Sequence, residues 1–209
     1  MNPLARLSCT VVAGRSGSGK STFARRYLRN ARGVAARLIW DDQTEYARAF
    51  GIRSANSVDD LERDLSSGWV CFDPSTLFPG NPSAGFAFFC DWCFAVSDRG
   101  PGRKILLVDE VWRFCNPAYI PPELALCVQS GRKWELETVF CTQRPQRINE
   151  SILGEATEAV AFNLIGDNAV EKMARAYKLD PSEIENLPSG QWVSRSMVSG
   201  GAVMRGRLW

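Results

Sequence analysis

Short apolar runs alternate along the chain with segments in which apolar residues recur at helical spacing. This alternation is typical of strands that are joined by helices. The predicted strands cover residues 7–13, 36–40, 69–72, 105–109, 138–141 and 159–164. The predicted helices cover residues 20–30, 57–66, 83–97, 121–131, 149–155 and 168–178. Because the strand segments are continuously apolar, we expect an α/β fold with a central, mostly parallel sheet that is buried on both faces and flanked by helices.

The segment 190–209 has a different pattern. Its sequence, GQWVSRSMVSGGAVMRGRLW, predicts two strands joined at Gly200 and Gly201. Glycine accepts the positive φ of a tight hairpin turn. We therefore expect a C-terminal β-hairpin in this segment.

The most apolar segment is 83–96, SAGFAFFCDWCFAV, and it includes Asp91. A membrane-spanning helix needs roughly 20 apolar residues, so this segment is too short to cross a bilayer. We expect a buried or interface helix here and no membrane-spanning segment. The opening MNPLARLSCTVVAG leads directly into a predicted strand without a cleavage-like site, so we expect no secretory signal peptide either.

Composition narrows the class of protein. The 209 residues are 45% hydrophobic and 23% charged, as in an ordinary globular protein, and we expect a single domain over residues 1–209. The formal net charge of +2 excludes a polycation that coats nucleic acid. Any contact with nucleic acid would therefore need a local basic patch.

The seven cysteines are odd in number and lie mostly inside apolar runs. This distribution favours the reduced, buried thiols of a cytosolic protein over a disulfide framework. The single C-x-x-C pair, Cys90 and Cys93, has no second pair to complete a zinc site, and the chain contains no histidine. We expect both side chains to pack in the core.

A glycine-rich loop follows the first predicted strand and precedes the first predicted helix. In TVVAGRSGSGKST, the spacing G-x-x-x-x-G-K-[ST] is formed by Gly14, Gly19, Lys20 and Ser21. Such glycines let backbone N–H groups turn inward around a phosphate, and the helix that follows adds its positive end. Lys20 would reach the β- and γ-phosphates, and Ser21 would ligate Mg²⁺. The predicted ATP-binding residues are Gly14, Arg15, Ser16, Gly17, Ser18, Gly19, Lys20, Ser21 and Thr22.

Two acidic residues follow the fourth predicted strand. In KILLVDEVWRF, Asp109 and Glu110 come directly after the apolar run 105–108. Beside a phosphate loop, Asp109 would hold the water shell of Mg²⁺ together with Ser21. Glu110 would orient or deprotonate the attacking water. The pair favours hydrolysis over transfer of phosphate to a bound hydroxyl group.

The fifth predicted strand ends abruptly in polar residues. The apolar run 139–141 is followed at once by Thr142, Gln143, Arg144 and Pro145. Pro145 has no N–H to donate to a partner strand, so it stops the ladder. Up to this point the chain resembles the RecA-like ASCE class of P-loop ATPases. In that class an extra strand lies between the strand before the phosphate loop (Walker A) and the strand before the acidic pair (Walker B). That resemblance implies that Gln143 projects beside Glu110, where its amide can bond the γ-phosphate and the lytic water.

The combination of GRSGSGKST, ILLVDE and TQRP is similar to the FtsK-HerA superfamily of ring-forming DNA pumps. LIWDDQTEY matches the D-x-x-x-E-Y segment of HerA-type proteins. Over residues 7–165 the chain resembles, within that superfamily, the genome-packaging ATPases of tailless, membrane-containing icosahedral viruses. The resemblance implies a translocase that hydrolyses ATP to ADP and phosphate and packages double-stranded DNA into a preformed capsid.

The resemblance also implies partners and a location. A homo-oligomer, expected as a hexameric ring, would surround DNA in the host cytoplasm and dock on viral capsid vertex or portal proteins. Association with the virion at the packaging vertex is the second expected location. An arginine from the neighbouring subunit would stabilise charge on the γ-phosphate. Arg132 is the first choice because it ends the helix before the strand of Gln143. The other candidates are Arg144, Arg147, Arg195, Arg205 and Arg207.

Three other functions fit parts of the pattern. The zonula occludens toxin family of filamentous-phage assembly ATPases has similar Walker motifs and a glutamine-bearing strand, but it resembles inner-membrane machines with a spanning helix, which we do not expect here. A small-molecule or nucleotide kinase suits the chain length but leaves Asp109, Glu110 and Gln143 unexplained. A nucleotide-gated binding scaffold that hydrolyses poorly is the third alternative.

Overall fold

The computed structural model of the chain describes residues 8–198 and 201–209. In these ranges the strands are β1 (Cys9–Ala13), β2 (Val34–Trp40), β3 (Trp69–Phe72), β4 (Arg103–Val108), β5 (Leu136–Thr142), β6 (Glu158–Ala161), β7 (Gln191–Ser196) and β8 (Val203–Arg207). The α-helices are α1 (Lys20–Asn30), α2 (Glu45–Phe50), α3 (Val58–Ser67), α4 (Pro82–Arg99), α5 (Pro122–Ser130), α6 (Glu150–Glu155), α7 (Asp167–Tyr177) and α8 (Pro181–Asn186).

The strands form an eight-stranded, mostly parallel sheet in the order β3-β2-β4-β5-β1-β6-β7-β8. Strand β2 is parallel to β3 and to β4, and β1 is parallel to β6. Strands β6, β7 and β8 pair antiparallel in succession. The predicted α/β fold is confirmed, and β5 takes its predicted place between β4 and β1. Every residue of β1 and β5 is buried, as their continuous apolar patterns indicate.

The described residues fall into two compact units. The first unit contains Leu28–Asp109 and Pro121–Thr138, and the second contains Ser8–Tyr27, Glu110–Ile120 and Val139–Trp209. The single domain over residues 1–209 stays a prediction.

Aromatic side chains fill the core of the first unit. The ring of Trp40 meets that of Phe86 edge to face with centroids 5.2 Å apart. Phe72 stacks on Phe89 at 5.0 Å. Because Phe86 and Phe89 of α4 are fully buried, the segment 83–96 is the buried helix that its composition predicts. Among the described helices, none is long and apolar enough to cross a bilayer.

The second unit contains the C-terminal hairpin. Strands β7 and β8 pair antiparallel with Gln191 opposite Arg207, which confirms the hairpin predicted for 190–209. Of its predicted turn, Gly201 has a φ of 76°, and Gly200 lies outside the described residues. The start of the first predicted strand, Leu7, also lies outside them.

The apolar pattern overestimates the length of one strand. Strand β6 ends at Ala161, whereas the sequence predicts a strand to Leu164. Phe162 and Leu164 are nevertheless 0% and 1% exposed. Packing rather than a continued strand ladder therefore accounts for the apolar character of these two positions.

Two short helices have no counterpart in the sequence prediction. Each is six residues long, too short to show a helical period. Helix α2 follows the carboxylate of Asp41, which accepts hydrogen bonds from Tyr46 N at 3.0 Å and Ala47 N at 2.8 Å. Helix α8 begins with a capping signal that the sequence does contain, since Asp180 accepts from Ser182 N at 2.9 Å and proline follows at the first helical position.

All seven cysteines are free and buried, as predicted. Cys90 and Cys93 lie on the buried face of α4, and the Cys127 thiol of α5 donates to the Cys90 carbonyl at 3.3 Å. Burial raises the pKa of both α4 thiols well above the ordinary value. A raised thiol pKa leaves little thiolate, which is the reactive form.

We expect the native protein at about pH 8 to react with fewer than one equivalent of a water-soluble disulfide reagent, because all seven thiols are buried and out of its reach. After denaturation, all seven cysteines should react. Absorbance of the released thiolate measures both reactions. Rapid labelling of several thiols in the folded protein would contradict the assignment of these residues to the core.

Candidate functional site

The glycine-rich loop connects β1 directly to α1. Gly17 has a φ of 72° and Gly19 a φ of 117°, both in the region that favours glycine. Gly14 is needed for a different reason, since a Cβ there would lie 2.5 Å from the Ser18 hydroxyl oxygen. The loop is therefore closed tightly on itself at the start of α1, as a phosphate-binding loop requires.

Backbone hydrogen bonds fix the entry to this loop. Gly14 N donates to Thr142 O, at the end of β5, over 3.1 Å. Arg15 N donates to Asn163 O, just after β6, over 2.8 Å. The carboxyl ends of these two strands thus determine where the loop leaves the sheet.

Residues beside and within the C-terminal hairpin hold the other side of the loop. Gly190 N donates to Ser18 O at 3.0 Å, and the Ser189 hydroxyl donates to Gly17 O at 3.3 Å. The Leu208 side chain lies against Gly19, where a Cβ would come within 2.7 Å of it. The sequence contains no motif that indicates this contact, which joins segments about 170 residues apart.

The loop has the polar groups that a phosphate requires. Lys20 is only 5% exposed, and its Nζ donates to Arg15 O at 3.2 Å. The Ser18 hydroxyl is buried and has no hydrogen-bond partner among the described residues. A buried ammonium and a buried hydroxyl at the start of a helix suit an anionic ligand. Of the remaining predicted binding residues, Arg15 and Ser16 are exposed, and Ser21 and Thr22 are half-buried in the first turn of α1.

Glu110 lies directly beside the phosphate loop. Its backbone is left-handed, with φ 52° and ψ 47°, which turns the chain sharply after β4. Its Oε1 lies 3.7 Å from Lys20 Nζ, and its Oε2 accepts from Gln143 N at 3.0 Å. The structure therefore brings Lys20, Glu110 and Gln143 together. The Gln143 backbone makes this contact, and the residue is exposed.

Asp109 is held by a residue that sequence reasoning left without a role. Its Oδ2 accepts from the Tyr46 hydroxyl at 2.8 Å. Tyr46 belongs to the D-x-x-x-E-Y segment, and its backbone N–H is bonded to Asp41. Burial raises the pKa of Asp41, although the backbone N–H groups that donate to its carboxylate act to lower that pKa. The sequence feature that could have pointed to Tyr46 is the D-x-x-x-E-Y segment, which places Asp41 and Tyr46 five residues apart.

The residues predicted to hold Mg²⁺ are chemically suitable. No group of three or more acidic or cysteine side chains in the described part of the chain could hold a metal ion. Mg²⁺ at phosphate-transfer sites keeps several waters and takes only one or two protein ligands beside the substrate phosphates. A serine hydroxyl and one carboxylate, as predicted for Ser21 and Asp109, are ligands of this kind.

Trp112 is a second residue that the sequence prediction missed. It lies in the 3₁₀ turn Val111–Arg113, and its Nε1 donates to Glu110 Oε2 at 2.5 Å. The guanidinium carbons of Arg144 and Arg147 lie 4.6 Å and 5.5 Å from the centroid of its ring. Both arginines come after β5, which ends at Thr142.

Pro145 lies three residues beyond that end, at the start of a 3₁₀ turn. The prediction that Pro145 ends the strand is therefore wrong.

The structure distinguishes the other arginine candidates. Arg205 is paired with both carboxylate oxygens of Glu183, and Arg195 donates to Lys178 O at 2.8 Å. Arg207 is exposed on β8. Arg132 is exposed in the 3₁₀ turn Gly131–Trp134, just beyond the end of α5 rather than within that helix.

The sequence and the fold both have relatives among known proteins. The sequence is similar to Protein P9 of Pseudoalteromonas phage PM2, with 28% identity over 184 residues that cover 87% of this chain and 81% of the phage protein. No known family model matches the chain. The structure is similar to the genome packaging NTPase B204 from Sulfolobus turreted icosahedral virus 2 in complex with AMP, with a TM-score of 0.76 and 18% identity over the full length of both chains.

The chain has the fold of the packaging NTPase B204. It also shares this fold with VirB4 of Thermoanaerobacter pseudethanolicus, with a TM-score of 0.68 and 13% identity over 96% of this chain and 89% of VirB4. Further structures show B204 in complex with AMPPCP and with ATP-gammaS. The predicted resemblance to viral genome-packaging ATPases is thus confirmed in the fold.

We expect Gly19→Ala to weaken ATP binding at least tenfold in a titration with a fluorescent ATP analogue. Alanine is strained at a φ of 117°, and its Cβ would meet Leu208 at 2.7 Å and Phe162 at 3.1 Å. Such backbone strain costs on the order of 1–3 kcal/mol.

Gly17→Ala is the matched comparison, because a Cβ there would meet nothing within 4 Å. Its loss of affinity should be clearly smaller than that of Gly19→Ala. Equal affinities of the two variants would contradict the proposed close contact between the loop and Leu208.

Proposed function

We propose that the chain is an ATPase of the FtsK-HerA superfamily that hydrolyses ATP to ADP and phosphate and moves double-stranded DNA during the packaging of a viral genome. The observation that carries the proposal is the ion pair of Lys20 and Glu110, with Nζ and Oε1 3.7 Å apart. It places a carboxylate that can act on water next to the cation of the phosphate loop. Together with the neighbouring Gln143, this carboxylate favours hydrolysis by water over transfer of phosphate to a bound hydroxyl group.

The proposed mechanism begins with a change of partner for Lys20. The ammonium group leaves Glu110 and pairs with the β- and γ-phosphates of ATP, while the loop N–H groups surround the β-phosphate. Glu110 Oε1 is then able to accept a proton from the attacking water. Ser21 and Asp109 would hold Mg²⁺, which would supply positive charge to the phosphate oxygens. Tyr46 keeps the Asp109 carboxylate oriented through its hydroxyl group.

Gln143 is proposed to act as the sensor of the γ-phosphate. Its backbone N–H is bonded to Glu110 over 3.0 Å, and the residue is exposed. An amide side chain at this position can donate to a phosphate oxygen and accept from the lytic water. The same residue would then contact both the catalytic carboxylate and the substrate.

The DNA-pumping part of the proposal rests on the fold and on a local basic patch. The fold is that of a genome packaging NTPase from a virus, and a phage protein is similar in sequence. Arg144 and Arg147 are exposed and lie over the same tryptophan ring, so together they form a local basic patch. DNA binding would need such a patch because the net charge of the whole chain is only +2. The proposed partners are double-stranded DNA, further copies of the chain in a hexameric ring, and capsid vertex or portal proteins, met in the host cytoplasm or at the packaging vertex.

We expect Glu110→Gln to lower kcat for ATP at least about 100-fold, the usual contribution of a general base, and to leave ATP binding in place. Release of phosphate and binding of a fluorescent ATP analogue measure the two effects. Glu171→Gln makes the same chemical change at an exposed position of α7 and is expected to behave as wild type. Double-stranded DNA should raise turnover of the wild type at low salt. Hydrolysis that ignores both DNA and Glu110→Gln would overturn the proposal.

Arg132 is proposed to reach the γ-phosphate of the neighbouring subunit. If so, mixing Arg132→Ala chains with wild type should depress ATPase activity by more than the mutant fraction, because each mutant also disables a neighbour's site. Lys133→Ala removes the adjacent exposed cation and serves as control. A strictly linear dilution curve for Arg132→Ala would show that each site is self-contained.

A further inference from the structure

The contacts of Glu110 divide its two carboxylate oxygens between different partners. Oε1 faces Lys20 Nζ at 3.7 Å. Oε2 accepts two hydrogen bonds, from Trp112 Nε1 at 2.5 Å and from Gln143 N at 3.0 Å. Two donors on one oxygen fix the rotation of the carboxylate, so the other oxygen is directed at the phosphate loop.

The indole of Trp112 is itself held in place. It stands in a short 3₁₀ turn only two residues after Glu110, and it is half-buried. Arg144 lies 4.6 Å and Arg147 5.5 Å from the centre of its ring. Guanidinium groups over an indole face are attracted by its π-electrons and restrict its orientation. Because a donor can position an acceptor only if it is rigid, these arginines contribute to the placement of the N–H.

We propose that Trp112 is the positioning residue of Glu110 and that Arg144 and Arg147 act on the same carboxylate through the indole ring. The inference rests on the proposed role of Glu110 in hydrolysis. Trp112 touches neither the substrate nor the water. It holds Oε2, so that Oε1 meets the water once Lys20 has moved to the phosphates of ATP.

A phenylalanine at position 112 separates the two properties of the side chain. Trp112→Phe keeps an aromatic face for both arginines but removes the N–H donor. Without DNA, kcat for ATP should fall about tenfold, a part of what the general base itself contributes. The KM for ATP and the thermal midpoint should stay close to those of wild type, because the phosphate loop is unchanged. A purely structural tryptophan would instead lower the thermal midpoint and raise KM.

Trp134 provides a matched control. It also lies in a 3₁₀ turn with a cation over its ring, Lys133 Nζ at 4.8 Å. Trp134→Phe should leave kcat within twofold of wild type. If kcat of Trp112→Phe equals that of Trp134→Phe, the inference is overturned.

Coupling between the arginines and the indole gives an independent test. The double variant Arg144→Gln, Arg147→Gln should lower kcat less than Trp112→Phe does, because the N–H remains. Adding Trp112→Phe to it should give a kcat no lower than that of Trp112→Phe alone, since all three changes act through one N–H group. Multiplied effects would show that the arginines act separately and would overturn their part of the inference.

The outcomes distinguish failure of this inference from failure of the proposed function. A wild-type chain that does not hydrolyse ATP, or a Glu110→Gln variant that is fully active, refutes the function itself. An active wild type with an inactive Glu110→Gln and an unaffected Trp112→Phe refutes only the role of Trp112. If Trp112→Phe does not fold, the arginine double variant decides in the same way, since an unchanged kcat there contradicts the coupling to Glu110.

Discussion

The ammonium group of Lys20 is almost fully buried, and a charge in that position needs a counter-charge within reach. Glu110 provides it across 3.7 Å. The same pair fixes the Glu110 carboxylate against the glycine-rich loop and, through the bond from Gln143 N, connects the loop to the segment that follows β5. Removing one partner of such a pair destabilises more than the pair itself stabilises, because an uncompensated buried charge remains. In the proposed mechanism ATP replaces Glu110 as the partner of Lys20, so the cation would stay paired when substrate binds.

The loop and its acid could be predicted from sequence because each depends on local order. Glycines at fixed spacing between a strand and a helix have one common use, and an acidic pair at the end of an apolar run marks the edge of a parallel sheet. The place of Gln143 beside Glu110 followed from the strand order of a known fold class. The left-handed backbone of Glu110 could not be foreseen, because no residue type in VDEV requires it.

The parts of the site that escaped prediction depend on side chains that meet only after folding. Tyr46 reaches Asp109 across 63 positions of sequence, and Trp112 contacts Glu110 because of a turn that composition does not reveal. The choice among the arginine candidates shows the same limit of prediction from sequence. Six arginines were candidates from sequence, with Arg132 the first choice. The fold pairs Arg205 with Glu183 and places two others on one indole ring. Charge identifies possible partners, whereas geometry selects among them.

The hydrogen bonds from Ser189 and Gly190 to the phosphate loop make the hairpin and the loop a single mechanical element. Strand β8 ends the strand order of the sheet, and Leu208, one residue beyond it, rests on Gly19. A force applied to β8 would therefore reach the backbone of the glycine-rich loop through these few contacts. If the chain is the DNA motor proposed above, tension on this strand would alter the affinity of the loop for nucleotide, so the load on the motor would control the binding of its fuel.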